Sequence, residues 1–226
     1  MIRVHVICEG QTEENFVNEL LQETFLPRQI QLLPSMVGKP GHKGGNFKYE
    51  RLLRDIETRL LRDRECCCTT FFDFYALPQS FPGRQEAGGL RSVAAKSECL
   101  CRRLVERLTL DIGENTMRRF IPYVQMYDFE GLLFSDPAGI ATGIGKPHLA
   151  EDFWEIRRQF STPEEINDSV ATAPGKRLES LVSEYEKPTY GMLAALDVGL
   201  AAMRRECPIF RGWLEKLEAL TPEEES

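Results

Sequence analysis

Histidine is nearly missing from this chain, with three in 226 residues, at positions 5, 42 and 148. None of the seven cysteines falls in a Cys-x-x-Cys pair. Together these absences exclude a zinc site of ordinary spacing. No apolar run approaches the ~20 residues that span a bilayer, so no membrane segment is expected. The opening residues, Met1-Ile2-Arg3-Val4, lack the charged, apolar and small-residue regions of a secretory leader, which makes the cytoplasm the expected location. The Walker pattern GxxxxGK[ST] is absent too, removing the P-loop way of cradling a nucleotide. Positive charge is also short, because 28 Lys and Arg against 35 Asp and Glu leave a net charge of −7. Such a chain does not coat nucleic acid through bulk charge. A local basic stretch survives over residues 39–64, with eight Lys/Arg against four Asp/Glu.

What is present reads as an α/β protein. Val4–Cys8 is an apolar strand, followed by a helix that starts near Thr12 and repeats apolar side chains at Phe16, Val17, Leu20 and Leu21. A second strand covers Gln29–Val37, interrupted by Pro34. A glycine- and lysine-rich loop leads into a helix with Tyr49, Leu52, Leu53, Ile56 and Leu60 on one face. Thr69–Tyr75, β-branched and aromatic, suits a central strand. Leu90–Leu108 is helical. Phe120–Met126 is a fourth strand, placed at an edge by Pro122. Beyond Tyr127 the pattern is helical, over Phe129–Phe134, Leu149–Phe160, Lys176–Tyr185, Tyr190–Met203 and Pro208–Leu217. Strand and helix alternate in the first part, which implies a mostly parallel four-stranded sheet flanked by helices, with a C-terminal helical extension. The expected division is a core over 1–136, the extension over 137–220 and a disordered acidic tail over 221–226. The adjacent cysteines Cys66-Cys67-Cys68 pair poorly with one another, so the thiols read as reduced and apolar in role.

Acids cluster where such a sheet binds ligands, beyond the carboxyl ends of its strands. Glu9 follows the first strand, Asp73 ends the central one, and Asp128 and Glu130 follow the fourth. Taken singly, each is an ordinary turn or helix-dipole acid. Taken together, they form a set of hard oxygen donors suited to Mg²⁺ or Mn²⁺. Lys43 and Lys48 flank Gly44-Gly45, and Lys176-Arg177 follow Pro174-Gly175; both are candidate phosphate contacts. A solvated loop end reads equally well for them. The aromatics Phe153, Trp154, Phe160, Phe210 and Trp213 recur at helical spacing and suit a core better than a base-stacking platform.

The segment "VHVICEGQTEENFV" resembles the opening of the TOPRIM domain of topoisomerases, bacterial primases and OLD-family nucleases. In that domain a strand ends in Glu-Gly before a helix. The blocks "CEGQTE", "KGGNFKYERL", "DFYALPQSFPG", "YDFEGLLFSDP" and "INDSVATAPGKRL" resemble a bacterial TOPRIM-like family of unknown function. Its members are small partners of AAA- or ABC-type ATPases in anti-phage systems. The resemblance implies a Mg²⁺- or Mn²⁺-dependent nuclease acting on DNA or RNA. Glu9 would be the general base or a further metal contact, and Asp73 the first acid of an Asp-x-Asp pair. Tyr75 stands where the second acid belongs, and a phenol does not replace a carboxylate as a Mg²⁺ ligand. Either Asp128 or Glu130 supplies the missing oxygen, or metal binding is weakened. Lys43, Lys48, Lys176 and Arg177 would meet phosphates. The alternative is a non-catalytic regulatory subunit of an ATPase complex that keeps the fold; a homodimer is the assembly held open.

Overall fold

The computed structural model describes residues 1–37, 47–167 and 169–221. Lys43 and His42 of the glycine-rich loop, and 222–226 of the acidic tail, lie outside the described residues. The chain forms two compact units. Of the described residues, one comprises 1–37, 47–72, 76–124 and 213–221, and the other 73–75, 125–167 and 169–212.

The first unit is built on the sheet. Strand β1 (Ile2–Cys8) is followed by α1 (Gln11–Phe16), a π-helical turn over Val17–Leu21, and α2 (Gln22–Phe25). The helix starts earlier than the sequence suggests. Its N-cap is Gly10, whose N–H donates to Glu13 Oε2 at 3.0 Å, so Glu13 rather than Thr12 satisfies the first turn. Strand β2 (Ile30–Met36) lies parallel to β1, with Val6 opposite Pro34. It is the outer strand on that side, where a proline without an N–H costs no ladder bond. Helix α3 (Tyr49–Arg62) buries Tyr49, Leu52, Ile56 and Leu60 at helical spacing.

Strand β3 (Cys67–Asp73) is buried along its whole length, as expected of a parallel strand covered on both faces. The sheet order is β2-β1-β3-β4, with β4 (Phe120–Ile121) parallel to β3. All seven cysteines are free thiols, six of them buried, in keeping with their apolar reading. Helices α4 (Arg84–Gly88), α5 (Val93–Ile112) and α6 (Glu114–Met117) complete the flanks.

The single fourth strand expected over Phe120–Met126 is instead β4 and a separate β5 (Val124–Gln125), split at Pro122-Tyr123. Thr70 repairs the gap with its side chain. Its Oγ1 donates to Tyr123 O at 2.8 Å and accepts the Tyr123 N–H at 3.0 Å. Phe71, Tyr123 and Trp213 pack there, with Tyr123 and Trp213 stacked 4.5 Å apart. The indole Nε1 donates to Thr69 Oγ1 at 2.8 Å, satisfying both buried polar groups.

The second unit is helical, with α7 (Glu130–Leu133), α8 (Pro137–Gly143), α9 (Ala150–Arg157), α10 (Pro174–Leu181) and α11 (Lys187–Glu206). Helix α12 (Pro208–Glu218) carries Trp213 into the sheet unit. Helices α8 and α11 approach so closely that a Cβ on Gly143 would lie 2.6 Å from Leu193 O, and one on Gly139 would lie 3.0 Å from Val198 Cα. Glycine at both positions lets the backbones meet and fixes the line of α11. Gly199, at φ 74°, breaks α11 near its far end. Among the described residues, no helix is long and apolar enough to cross a membrane.

Candidate functional site

Asp73, Asp128 and Glu130 gather in the helical unit, and the chain spends local strain to put them there. Tyr127 has φ 67°, a left-handed conformation that a bulky side chain rarely adopts. Its carbonyl accepts the Tyr75 N–H at 3.1 Å, and its ring packs on Phe74 and Tyr75, 5.8 and 5.6 Å between centroids. This bend turns the chain so that Asp128 and Glu130, at the start of α7, both face inward. Asp73 is 4% exposed, Asp128 8% and Glu130 0%.

Two of the acids, Asp73 and Asp128, are half used. Asp128 Oδ2 accepts the Gly175 N–H at 3.1 Å. Glu130 Oε1 accepts the Tyr185 hydroxyl at 3.2 Å. Lys187 Nζ bridges Glu130 and Asp73, 2.9 Å from Glu130 Oε2 and 3.3 Å from Asp73 Oδ2. Asp73 Oδ1 and Asp128 Oδ1 are buried and accept no hydrogen bond. Gly175 is required by approach rather than by φ, because a Cβ there would lie 3.2 Å from both Asp128 Oδ2 and Glu130 Oε2.

The electrostatics follow from this crowding. Burial pushes the Asp73 carboxyl up to about 6, with Lys187 opposing and Glu130 adding to the rise. Burial and then the Glu130 charge hold Asp128 well above the usual carboxylate range. Burial and the same charge raise the Tyr185 phenol, so it remains a donor. Burial opposes the charged form of Lys187, yet Glu130, Asp73 and Asp128 together hold its pKa well above the usual ammonium value. The Lys187 side chain is 38% exposed as a whole, with its ammonium among the buried acids.

The sequence-derived candidates divide clearly. Asp73, Asp128 and Glu130 come together. Glu9 sits in the sheet unit, half-buried, with its N–H donating to Phe71 O at 3.2 Å. Tyr75 takes an amide partner instead of joining the acids, its hydroxyl donating to Asn167 Oδ1 at 2.6 Å. Lys48 is exposed and precedes α3 as its N-cap. Lys176 pairs with Glu179, three residues on. Arg177 Nε donates to Thr172 O at 2.8 Å while its guanidinium lies 5.3 Å over the Phe160 ring. In the sheet unit, a cleft of about 500 Å³ is lined by Tyr49, Arg103 and Arg107 among others. Its arginines already meet Glu86, Glu106 and Asp111.

Sequence reasoning missed Lys187, Tyr185 and Gly175. One signal existed for the lysine. Lys187 is the first residue of α11, where the helix dipole disfavours a cation. A lysine placed there needs compensating acids, and the fold supplies three.

No curated protein and no solved structure matches the chain. One family model matches residues 8–218, described as a domain of unknown function, DUF4276. That match covers nearly the whole chain, which therefore belongs to the DUF4276 family.

Proposed function

We propose that the protein is a divalent-metal-dependent phosphodiester hydrolase, a nuclease of DNA or RNA, with its site at the carboxylate cluster. The observation that carries this reading is the pair of buried, unpartnered oxygens Asp73 Oδ1 and Asp128 Oδ1. Leaving buried carboxylate oxygens unsatisfied is costly, and folds tolerate it mainly where a ligand completes the site. Hard oxygen donors suit Mg²⁺ or Mn²⁺. Among the described residues, no group of three His, Cys, Asp or Glu is arranged to hold a metal; Lys187 already bridges two of the acids. The donor chemistry fits the ion, and Asp73, Asp128 and Glu130 are the residues that would hold it. A bound divalent ion supplies an activated water and neutralises charge developing on phosphate.

The chain's own parts have definite tasks in this reading. Gly175 and Tyr185 fix the orientation of Asp128 and Glu130. Glu9 enters as general base or further metal contact on the strength of the TOPRIM resemblance. Lys43, Lys48, Lys176 and Arg177 are the proposed phosphate contacts. The acidic net charge favours action beside a partner that supplies nucleic-acid binding, and the resemblance names an AAA- or ABC-type ATPase in anti-phage defence.

The test is cleavage of DNA and RNA by the purified chain, alone and with an ATPase encoded beside it, in Mg²⁺ or Mn²⁺. Cleavage is expected, with Asp128→Asn and Glu9→Ala each losing more than the roughly hundredfold that an outer-shell partner costs. Intact substrates under every condition sink the reading. A second reading, a non-catalytic regulatory subunit, is favoured by the Lys187 bridge, which neutralises acids without a metal. It predicts ATPase complex formation that survives Glu9→Ala and Asp73→Ala.

A further inference from the structure

Resting on that metal reading, we propose that Lys187 is a built-in surrogate cation, which occupies the cluster in the ion-free protein and must swing out before a divalent ion binds fully. Its ammonium lies 2.9 Å from Glu130 Oε2 and 3.3 Å from Asp73 Oδ2. A Mg²⁺ ion takes carboxylate oxygens at ~2.0–2.1 Å. Ammonium and metal therefore compete for the same two carboxylates, and holding both there sets like charges against each other.

Two observations separate this bridge from an ordinary structural ion pair. The acids are nearly fully buried while the lysine side chain is 38% exposed, so its stem reaches the surface while its ammonium lies among the acids. A structural pair would also leave its acids satisfied, whereas Asp73 Oδ1 and Asp128 Oδ1 remain without partners. The lysine neutralises one charge of the cluster and leaves ligand capacity beside it.

The exchange needs no backbone movement. Gly139 and Gly143 hold α11 against α8 at Val198 and Leu193, and Lys187 opens the same helix. The flexible four-carbon stem permits the swing by itself. Lys187 thereby sets the ion concentration at which the site fills.

Calorimetric Mn²⁺ titration of the full chain tests this, using wild type, Lys187→Met, Lys187→Arg and the double variant Lys187→Met/Asp128→Asn. The methionine keeps the stem without its charge. Lys187→Met is expected to bind Mn²⁺ about tenfold or more tightly than wild type, Lys187→Arg to stay near wild type, and the double variant to lose the gain. Should Lys187→Met unfold without metal, recovery of its circular dichroism at Mn²⁺ levels below those that saturate wild type reports the same competition. Asp128-dependent binding by wild type that Lys187→Met leaves equal or weaker overturns the surrogate role while the metal reading stands. No Mn²⁺ binding by any of the four proteins overturns both.

Discussion

In the unit built on the sheet, Arg102 and Arg103 meet Glu86 and Glu106 at the surface, and one acid, Glu13, is buried, where it caps the first turn of α1. In the helical unit, Asp73, Asp128, Glu130 and Glu164 are inside. The first arrangement gains little from each ion pair, because water screens it. The second sacrifices stability at each acid, because desolvation falls on the charged form. A fold that buries a single capping acid in one unit and a cluster of acids in the other concentrates the cost at the site.

Trp213→Ala offers the largest expected break in this contrast. It removes the ring stacked on Tyr123 and the partner of Thr69 Oγ1. A loss of about 3–5 kcal/mol is expected in denaturant unfolding.

Glu164 comes next. Burial pushes its carboxyl up to about 7 even though the Ile209 and Phe210 N–H groups donate to it. The folded chain thus holds this proton more tightly than the unfolded one. The stabilising contribution is full below the ordinary value of 4.5 and is lost as pH rises through about 7. Unfolding measured between pH 4.5 and 8 should show a decline of up to roughly 3 kcal/mol from this group. Glu164→Gln should flatten that share of the slope.

Asp128→Asn should work in the opposite direction, raising stability by about 1–2 kcal/mol at neutral pH while cleavage is lost. Asparagine keeps an acceptor for the Gly175 N–H and removes a charge beside Glu130. A fall in thermal midpoint would argue that Asp128 is a structural member of its unit. The smallest effect belongs to Arg103→Ala, a thermal midpoint close to wild type, because the arginine and its partners are exposed and water screens the pairs.

Much of the sheet was legible because its signals are local. Val4–Cys8 and Thr69–Asp73 are apolar or β-branched runs, and Pro122 follows an outer strand. The split between β4 and β5 was not, because it depends on Thr70 bonding across 53 positions. Of the site, the three acids were legible as a spatial set from strand ends. Lys187, Tyr185 and Gly175 were not, since no strand end points to them. Only the conflict between a lysine and the dipole of its own helix marked the first.

Trp213 bears on how the chain folds as well as on how it holds. Its bond to Thr69 joins positions 144 apart, and the whole helical unit lies between them in the chain. During synthesis, β3 leaves the ribosome long before the residue that completes its packing. Until α12 emerges, Phe71 and Tyr123 lack the indole that packs on both, and that face of the sheet unit stays open to misassembly.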